Sequence, residues 1–255
     1  MLAAGEFSPL VISYSALDLL ALLIVMSGII LQTWVGIGFG LLAAPILYLV
    51  DPAYVPVPAL ILGFSLSLLL VLNQRKFLSW RRVLPAIIAR FPGCWCGALL
   101  LVAAPTYLLS ILFGCVLLMA VLISLFTCKI TLNPITLSIG GFFSGLIGTA
   151  TSVGGPPIAL VYQGVDRITA RNELAAFFLI GTPISILFLV LQGRVDMGSL
   201  LLSLKMLPGV LVGFGVARLC DNRISVSSTK PVLLFISSAS AIMILYKGIN
   251  GWWAA

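Results

Sequence analysis

The sequence contains no histidine and few charged residues of either sign. Asp, Glu, Lys and Arg make up only 8% of its 255 residues, and the seven acids are scattered along the chain. Histidine is the usual ligand of zinc and haem iron, and clustered carboxylates bind harder metal ions. Acid–base and nucleophilic catalysis need similar groups. We therefore expect no metal site, no cofactor and no enzymatic activity.

The chain also has too few polar residues to cover a water-soluble globule. Hydrophobic residues account for 61% of it, and its mean hydropathy is +1.23. A spanning helix needs about 20 largely apolar residues, and such runs fill nearly the whole chain. The sequence predicts an all-α polytopic membrane protein in which residues 1–255 form a single transmembrane transport domain.

The cysteines and the positive net charge indicate neither disulfides nor nucleic-acid binding. The five cysteines lie in or beside apolar segments and give no disulfide framework. The net charge of +7 comes largely from basic residues in short loops, which is typical of cytoplasmic loops. We therefore expect the lipid bilayer as a partner and no nucleic acid, and a homo-oligomer is left open.

A glycine- and hydroxyl-rich segment interrupts the apolar pattern in mid-chain, where residues 144–157 read SGLIGTATSVGGPP. Proline is tolerated in the first turn of a helix, so the proline pair predicts a helix, a loop and a second short helix. The N-terminus of that helix suits an anion. Close packing of helices through small residues is the alternative interpretation. The candidate substrate-binding residues here are Thr149, Thr151, Ser152, Gly154, Gly155 and Pro156.

A similar break lies near the N-terminus. Residues 10–50 form an apolar run of about 41 residues with one charge, Asp18, which is roughly twice the length of a single crossing. The run is interrupted by Gly36-Ile37-Gly38-Phe39-Gly40, and two polar side chains just before it could line a cavity. The candidate substrate-binding residues here are Gln32, Thr33, Gly36, Gly38 and Gly40.

The two breaks belong to an internal repeat, with halves at about 10–128 and 129–250. Landmarks of the first half recur in the same order at an offset of about 116 residues; P-G-x-x-x-G, for example, starts at Pro92 and again at Pro208. Repeats with discontinuous helices are typical of secondary transporters. We predict two homologous, inverted halves of about four hydrophobic segments each, with discontinuous glycine-broken helices.

Arg90 and Lys205 lie inside apolar runs at matching places in the two halves. A basic group at membrane depth costs about 2.5–3.5 kcal/mol on insertion scales, so it usually faces a cavity, a partner or a substrate. Both residues are therefore candidates for substrate binding, and snorkelling of the long side chains to an interface is the alternative.

Three further sets of residues are considered as functional candidates. The charged segment at 166–173 is either a solvated turn or a gate, with Arg171 and Asn172 as gating candidates. Cys94 and Cys96 are two residues apart, which predicts thiols on different faces of a helix. A carrier coupled to protons often needs a buried acid, and the clearest candidate in the sequence is Asp18.

The chain resembles the TauE/SafE sulfite exporter family, also called the four-toluene-sulfonate uptake permease family. The paired motifs GIGFGLLAAP at 36–45 and GLIGTATSVGGPP at 145–157 carry the resemblance, with Arg171 at a position that is commonly basic in the family. The resemblance implies a duplicated, multi-pass permease of the bacterial inner membrane for small sulfur-containing anions such as sulfite and organosulfonates. Phe39 departs from the fuller G-x-G-G-G motif.

Motifs and resemblance together predict a secondary transporter that binds a small anion where the broken helices meet, with Arg90 or Lys205 balancing the charge. The sequence has no nucleotide-binding motif, so a gradient must drive transport. An anion channel and a thiosulfate-type importer that uses the cysteine thiols are the alternatives.

Loop charge predicts how the halves are oriented. If each broken segment enters and returns, or crosses twice, ten of the fourteen basic residues lie in the cytoplasm and both termini lie outside. A cysteine placed beside Arg223 should then be protected from an impermeant thiol reagent in intact cells, and one beside Arg194 should react. Labelling beside Arg223 would contradict the inverted arrangement.

Overall fold

The computed structural model describes residues 14–36, 39–73, 79–125, 130–219 and 226–253, and these ranges are almost entirely helical with no strand among them. Seven helices in the described ranges are long and apolar enough to cross a membrane, and two shorter apolar helices accompany them. The predicted all-α polytopic membrane fold is confirmed.

Among the described residues, each half of the chain contains five α-helices, of which the second is short. The first five are α1 (Ala16–Val35), α2 (Ala44–Val50), α3 (Val57–Asn73), α4 (Trp80–Ala103) and α5 (Thr106–Leu125). The next five are α6 (Pro134–Thr151), α7 (Gly155–Val161), α8 (Arg167–Leu191), α9 (Met197–Leu219) and α10 (Val226–Trp253). A π-helical turn, Phe39–Ala43, leads into α2. Each half of the chain thus has five helices in about four hydrophobic segments, because its broken segment divides into a long helix and a short one.

Both breaks begin where a long helix ends in a left-handed residue. Helix α1 ends at Gly36, with φ +87°, a conformation that costs glycine no steric penalty. Helix α6 ends at Ser152, with φ 65°, and the Ser152 hydroxyl donates a hydrogen bond to the Pro56 carbonyl at 2.9 Å. Two prolines then start α7, so the predicted helix, loop and helix are confirmed in the second half.

The helices of the two halves pack against each other. Helix α4 packs on α6 and α9 packs on α1, while α3 contacts α8 and α5 contacts α10. Under the predicted repeat, in which α1 corresponds to α6 and α4 to α9, the first two contacts are counterparts. The inverted orientation of the halves stays a prediction, and Arg223 and Lys129 lie outside the described residues.

The glycines of the repeated P-G-x-x-x-G motif lie at these interfaces. A Cβ atom added at Gly97 of α4 would lie 3.1 Å from the Thr149 Cβ on α6, and one added at Gly213 of α9 would lie 2.8 Å from the Met26 carbonyl oxygen on α1. Small residues let membrane helices approach closely. The motif therefore sets the distance between α4 and α6 and between α9 and α1.

The close approach of α4 and α6 predicts which glycines tolerate a methyl group. A Cβ atom added at Gly141 of α6 would lie 2.8 Å from the Ala86 Cα on α4, whereas one added at Gly215 of α9 meets no atom within 4 Å. Alanine favours a helix over glycine by about 1 kcal/mol at either position. We expect Gly141→Ala to lower the thermal unfolding midpoint through an overpacking cost of about 1–3 kcal/mol, and Gly215→Ala to leave it unchanged or raise it. Equal midpoints for the two purified variants would contradict this account of the interface.

Candidate functional site

A cavity of about 50 Å³ lies where the two broken segments approach each other. Helices from both halves enclose it, since its walls come from α1, α3, α4, α6 and α8 and from the two breaks. It brings together most of the residues that the sequence predicted for substrate binding. Those that line it are Gln32, Gly36, Gly40, Arg90, Ser152, Gly154, Gly155 and Pro156.

Arg90 carries the charge in this cavity. Its side chain comes from α4 and is 1% exposed. The Nη1 atom lies 3.3 Å from the Ser144 hydroxyl on α6, and the Nη2 atom lies 3.5 Å from the Ser185 hydroxyl on α8. The guanidinium also lies over the rings of Phe177 and Phe178, at 4.7 and 5.1 Å from their centroids. Neutral hydroxyls and aromatic faces therefore orient the cation.

Within the described residues, no carboxylate pairs with Arg90. The two ion pairs among these residues are Arg82–Glu173 and Lys205–Asp18, and the Nε atom of Arg90 is buried without a hydrogen-bond partner. A buried cation is costly unless an opposite charge and further hydrogen bonds compensate it. An anion bound in the cavity would supply that charge.

A chain of small polar groups surrounds the guanidinium. The Thr149 hydroxyl donates to the Ser185 hydroxyl at 2.9 Å, and the Cys94 thiol lies 3.2 Å from the same oxygen. Thr149 thus supports the site without lining the cavity. The hydroxyls of Thr33 and Thr151 donate to carbonyls of their own helices, at Ile29 and Ile147. These hydrogen bonds occupy both hydroxyl protons away from the cavity.

Lys205 does not join Arg90 at the cavity, although the two residues occupy matching places in the sequence. Its Nζ atom lies 3.2 Å from the Asp18 Oδ2 atom, so the pair links α9 to α1. The Asp18 carboxylate also accepts from the backbone N–H of Ser15 at the start of α1. Asp18 is therefore a partly exposed capping and ion-pair residue, and the prediction that it is the clearest buried acid is wrong.

At the first break, the sequence predicts a helix N-terminus whose N–H groups are free to bind an anion. The structure differs in one of these groups. The Phe39 N–H group, which opens the π-helical turn, donates to the Gln32 side-chain oxygen at 2.8 Å. Gln32 therefore binds this N–H group itself while also lining the cavity. Gly38 lies outside the described residues.

Two arginines at the start of α8 hold the end of α1. Arg171 donates to the Thr33 carbonyl at 3.0 Å, and Arg167 donates to the Trp34 carbonyl. The last carbonyls of a helix have no partner within it, so these contacts stabilise the break. The Arg171 side chain also packs against Gly36, where an added Cβ would lie 3.6 Å from the Arg171 Cβ.

The charged segment that opens α8 is not a solvated turn throughout. Asn172 is 5% exposed and Glu173 is fully buried, so the solvated interpretation is wrong for both.

Sequence reasoning missed several residues around Arg90, because serine and phenylalanine in an apolar run carry no distinguishing signal. The missed residues are Ser144, Phe177, Phe178 and Ser185.

The cysteine pair follows its predicted geometry. Cys94 is buried beside the Arg90 site and Cys96 is exposed on another face of α4. The two thiols are therefore not available to the same substrate.

Discontinuous helices around a cavity between two halves of a polytopic protein are typical of membrane transporters. The family model described as "Sulfite exporter TauE/SafE" matches residues 20–244, so the chain belongs to the TauE/SafE sulfite exporter family. The resemblance drawn from the paired motifs is confirmed. No curated protein and no solved structure shows a significant match to the chain.

The contact between Arg171 and α1 predicts a stability effect. Arg171→Gln should leave the Thr33 carbonyl without its donor, and a buried polar group without a partner costs about 1–3 kcal/mol. The matched control is Arg194→Gln, because the Arg194 guanidinium makes only an exposed 3.4 Å contact with the Val102 carbonyl. We expect a lower thermal unfolding midpoint for Arg171→Gln alone. Equal midpoints would show that Arg171 does not stabilise the break.

Proposed function

We propose that this protein is a secondary transporter that moves small sulfur-containing anions, such as sulfite or organosulfonates, across the bacterial inner membrane. The observation that carries the proposal is the buried Arg90 guanidinium, which lines a cavity and has no carboxylate partner among the described residues. The family to which the chain belongs is named for sulfite export. Guanidinium groups bind planar or tetrahedral oxyanions through two parallel hydrogen bonds.

The size of the cavity favours the smaller members of this substrate class. A water-sized group needs about 10–15 Å³ of such volume, so about 50 Å³ accommodates roughly four groups. Sulfite, with one sulfur and three oxygens, has this size.

The enclosing helices support an alternating mechanism. Arg90 comes from the first half, while its hydroxyl and aromatic partners on α6 and α8 come from the second. We propose that the halves move relative to each other around the bound anion and open the cavity to one side at a time. Irregular backbone is tolerated in a membrane where it lines such a cavity.

The importer that uses two thiols receives less support. Of the cysteines that the structure describes, Cys94 alone lies beside the polar network, and Cys96 is exposed on another face. A channel differs from a carrier in its kinetics, because saturation and counterflow of labelled sulfite in proteoliposomes are properties of a carrier.

The difference between Arg90 and Lys205 makes the binding site testable. Arg90→Gln should remove a charge-assisted contact worth about 1.5–3 kcal/mol, which corresponds to a loss of roughly 10- to 150-fold in sulfite affinity. Lys205→Gln should leave the affinity unchanged, because Lys205 pairs with Asp18 away from the cavity. Arg90→Lys keeps the charge and should show an intermediate loss.

Equilibrium binding of sulfite to purified, monodisperse protein measures these effects. An unchanged affinity in Arg90→Gln would place the site elsewhere. Absence of sulfite binding and of sulfite counterflow in the unmodified protein would contradict the proposed function itself.

A further inference from the structure

Glu173 of α8 is the one acid that is fully buried among the described residues. Its Oε1 atom lies 3.3 Å from the Nη1 atom of Arg82 on α4, yet neither carboxylate oxygen has a well-formed hydrogen bond. A buried carboxylate normally accepts several hydrogen bonds. Glu173 therefore has one ion-pair partner and otherwise lacks the contacts that stabilise a buried negative charge.

The groups around Glu173 come from three elements. Helix α4 contributes Arg82, and the turn after α7 contributes Tyr162, whose buried hydroxyl has no hydrogen-bond partner among the described residues. Helix α8 itself has Asp166 as its N-cap and also carries Arg167 and Arg171. Helices α3 and α6, which also pack on α8, contain no titratable residue. Among the described residues, Arg82 is thus the one cation within ion-pair distance of the carboxylate.

The carboxyl group lies beside a partly exposed partner. The Arg82 side chain is 43% exposed, whereas that of Glu173 is 1% exposed. Arg82 lies in the first turn of α4, so the pair sits near one end of that helix, where a proton from water would enter. Protonation converts the carboxylate into a neutral acid, which no longer needs the cation and can donate its new O–H to a neighbouring oxygen.

Glu173 is also linked to the proposed anion site. It lies four residues before Phe177 on α8, so both side chains project from the same face of that helix. The Phe177 ring lies over the Arg90 guanidinium at 4.7 Å, and Leu174 lines the cavity. The Arg82–Glu173 pair and the Arg90–Phe177 contact thus join the same two helices, α4 from the first half and α8 from the second.

We propose that Glu173 is the residue that couples transport of the anion to movement of protons. In its charged form it holds α8 to α4 through Arg82. Uptake of one proton from water neutralises it and releases that contact, and loss of the proton restores it. The inference rests on the proposed function, since it assigns a driving ion to the transporter that Arg90 defines.

Proteoliposomes can separate exchange from proton-driven accumulation. In the unmodified protein, a pH gradient should drive accumulation of ³⁵S-sulfite above the level of protein-free vesicles. Glu173→Gln imitates the protonated side chain, so it should retain sulfite counterflow while its gradient-driven accumulation falls to the level of protein-free vesicles. Asp18→Asn is the matched control, because it removes the acid of the other described ion pair, and it should keep gradient-driven accumulation.

A second variant tests the same inference without changing Glu173. Arg82→Gln removes the contact through which the charged Glu173 side chain holds α8 to α4, so it too should retain sulfite counterflow while its gradient-driven accumulation falls to the level of protein-free vesicles. Undiminished accumulation in either variant would overturn the inference. Counterflow without gradient-driven accumulation in the unmodified protein would overturn it as well, while leaving the proposed transport of sulfite intact.

Discussion

The structure depends on burying one guanidinium group between helices that are otherwise apolar. Arg90 fits only because its neighbours are small: an added Cβ at Gly145 would lie 2.9 Å from the Arg90 Cγ, and one at Gly181 would lie 2.9 Å from its Cζ. The glycines that let α4 and α6 approach therefore also make room for the cation. Packing and the proposed binding site use the same residues here, so the two interpretations of the glycine-rich segment are compatible.

The helix breaks follow from the same need to satisfy polar groups inside a membrane. Each break leaves backbone groups without partners in their own helix, and a bilayer offers no water to replace them. Arg171 and Arg167 donate to the carbonyls at the end of α1, while Gln32 accepts from Phe39 N–H. These contacts make the irregular backbone stable enough to line a cavity.

The charged side chains also connect the two halves. Lys205–Asp18 joins α9 to α1, and Arg82–Glu173 joins α4 to α8. Each pair therefore contains one residue from each half of the chain. If the halves move during transport, these contacts are among those that must change, whereas Arg90 has no carboxylate partner among the described residues.

Composition and neighbouring residues along the chain were enough to predict the membrane class, the positions of both breaks, the proline start of α7 and the family. They could not distinguish Arg90 from Lys205, since both residues precede a P-G-x-x-x-G motif in an apolar run. The packing of the helices distinguishes the two residues. It places Asp18, 187 residues away in sequence, against Lys205, and it surrounds Arg90 with hydroxyls and aromatic rings. The burial of Glu173 likewise depends on tertiary packing. The sequence shows that this side chain is acidic, but its burial and its partner depend on how distant helices pack.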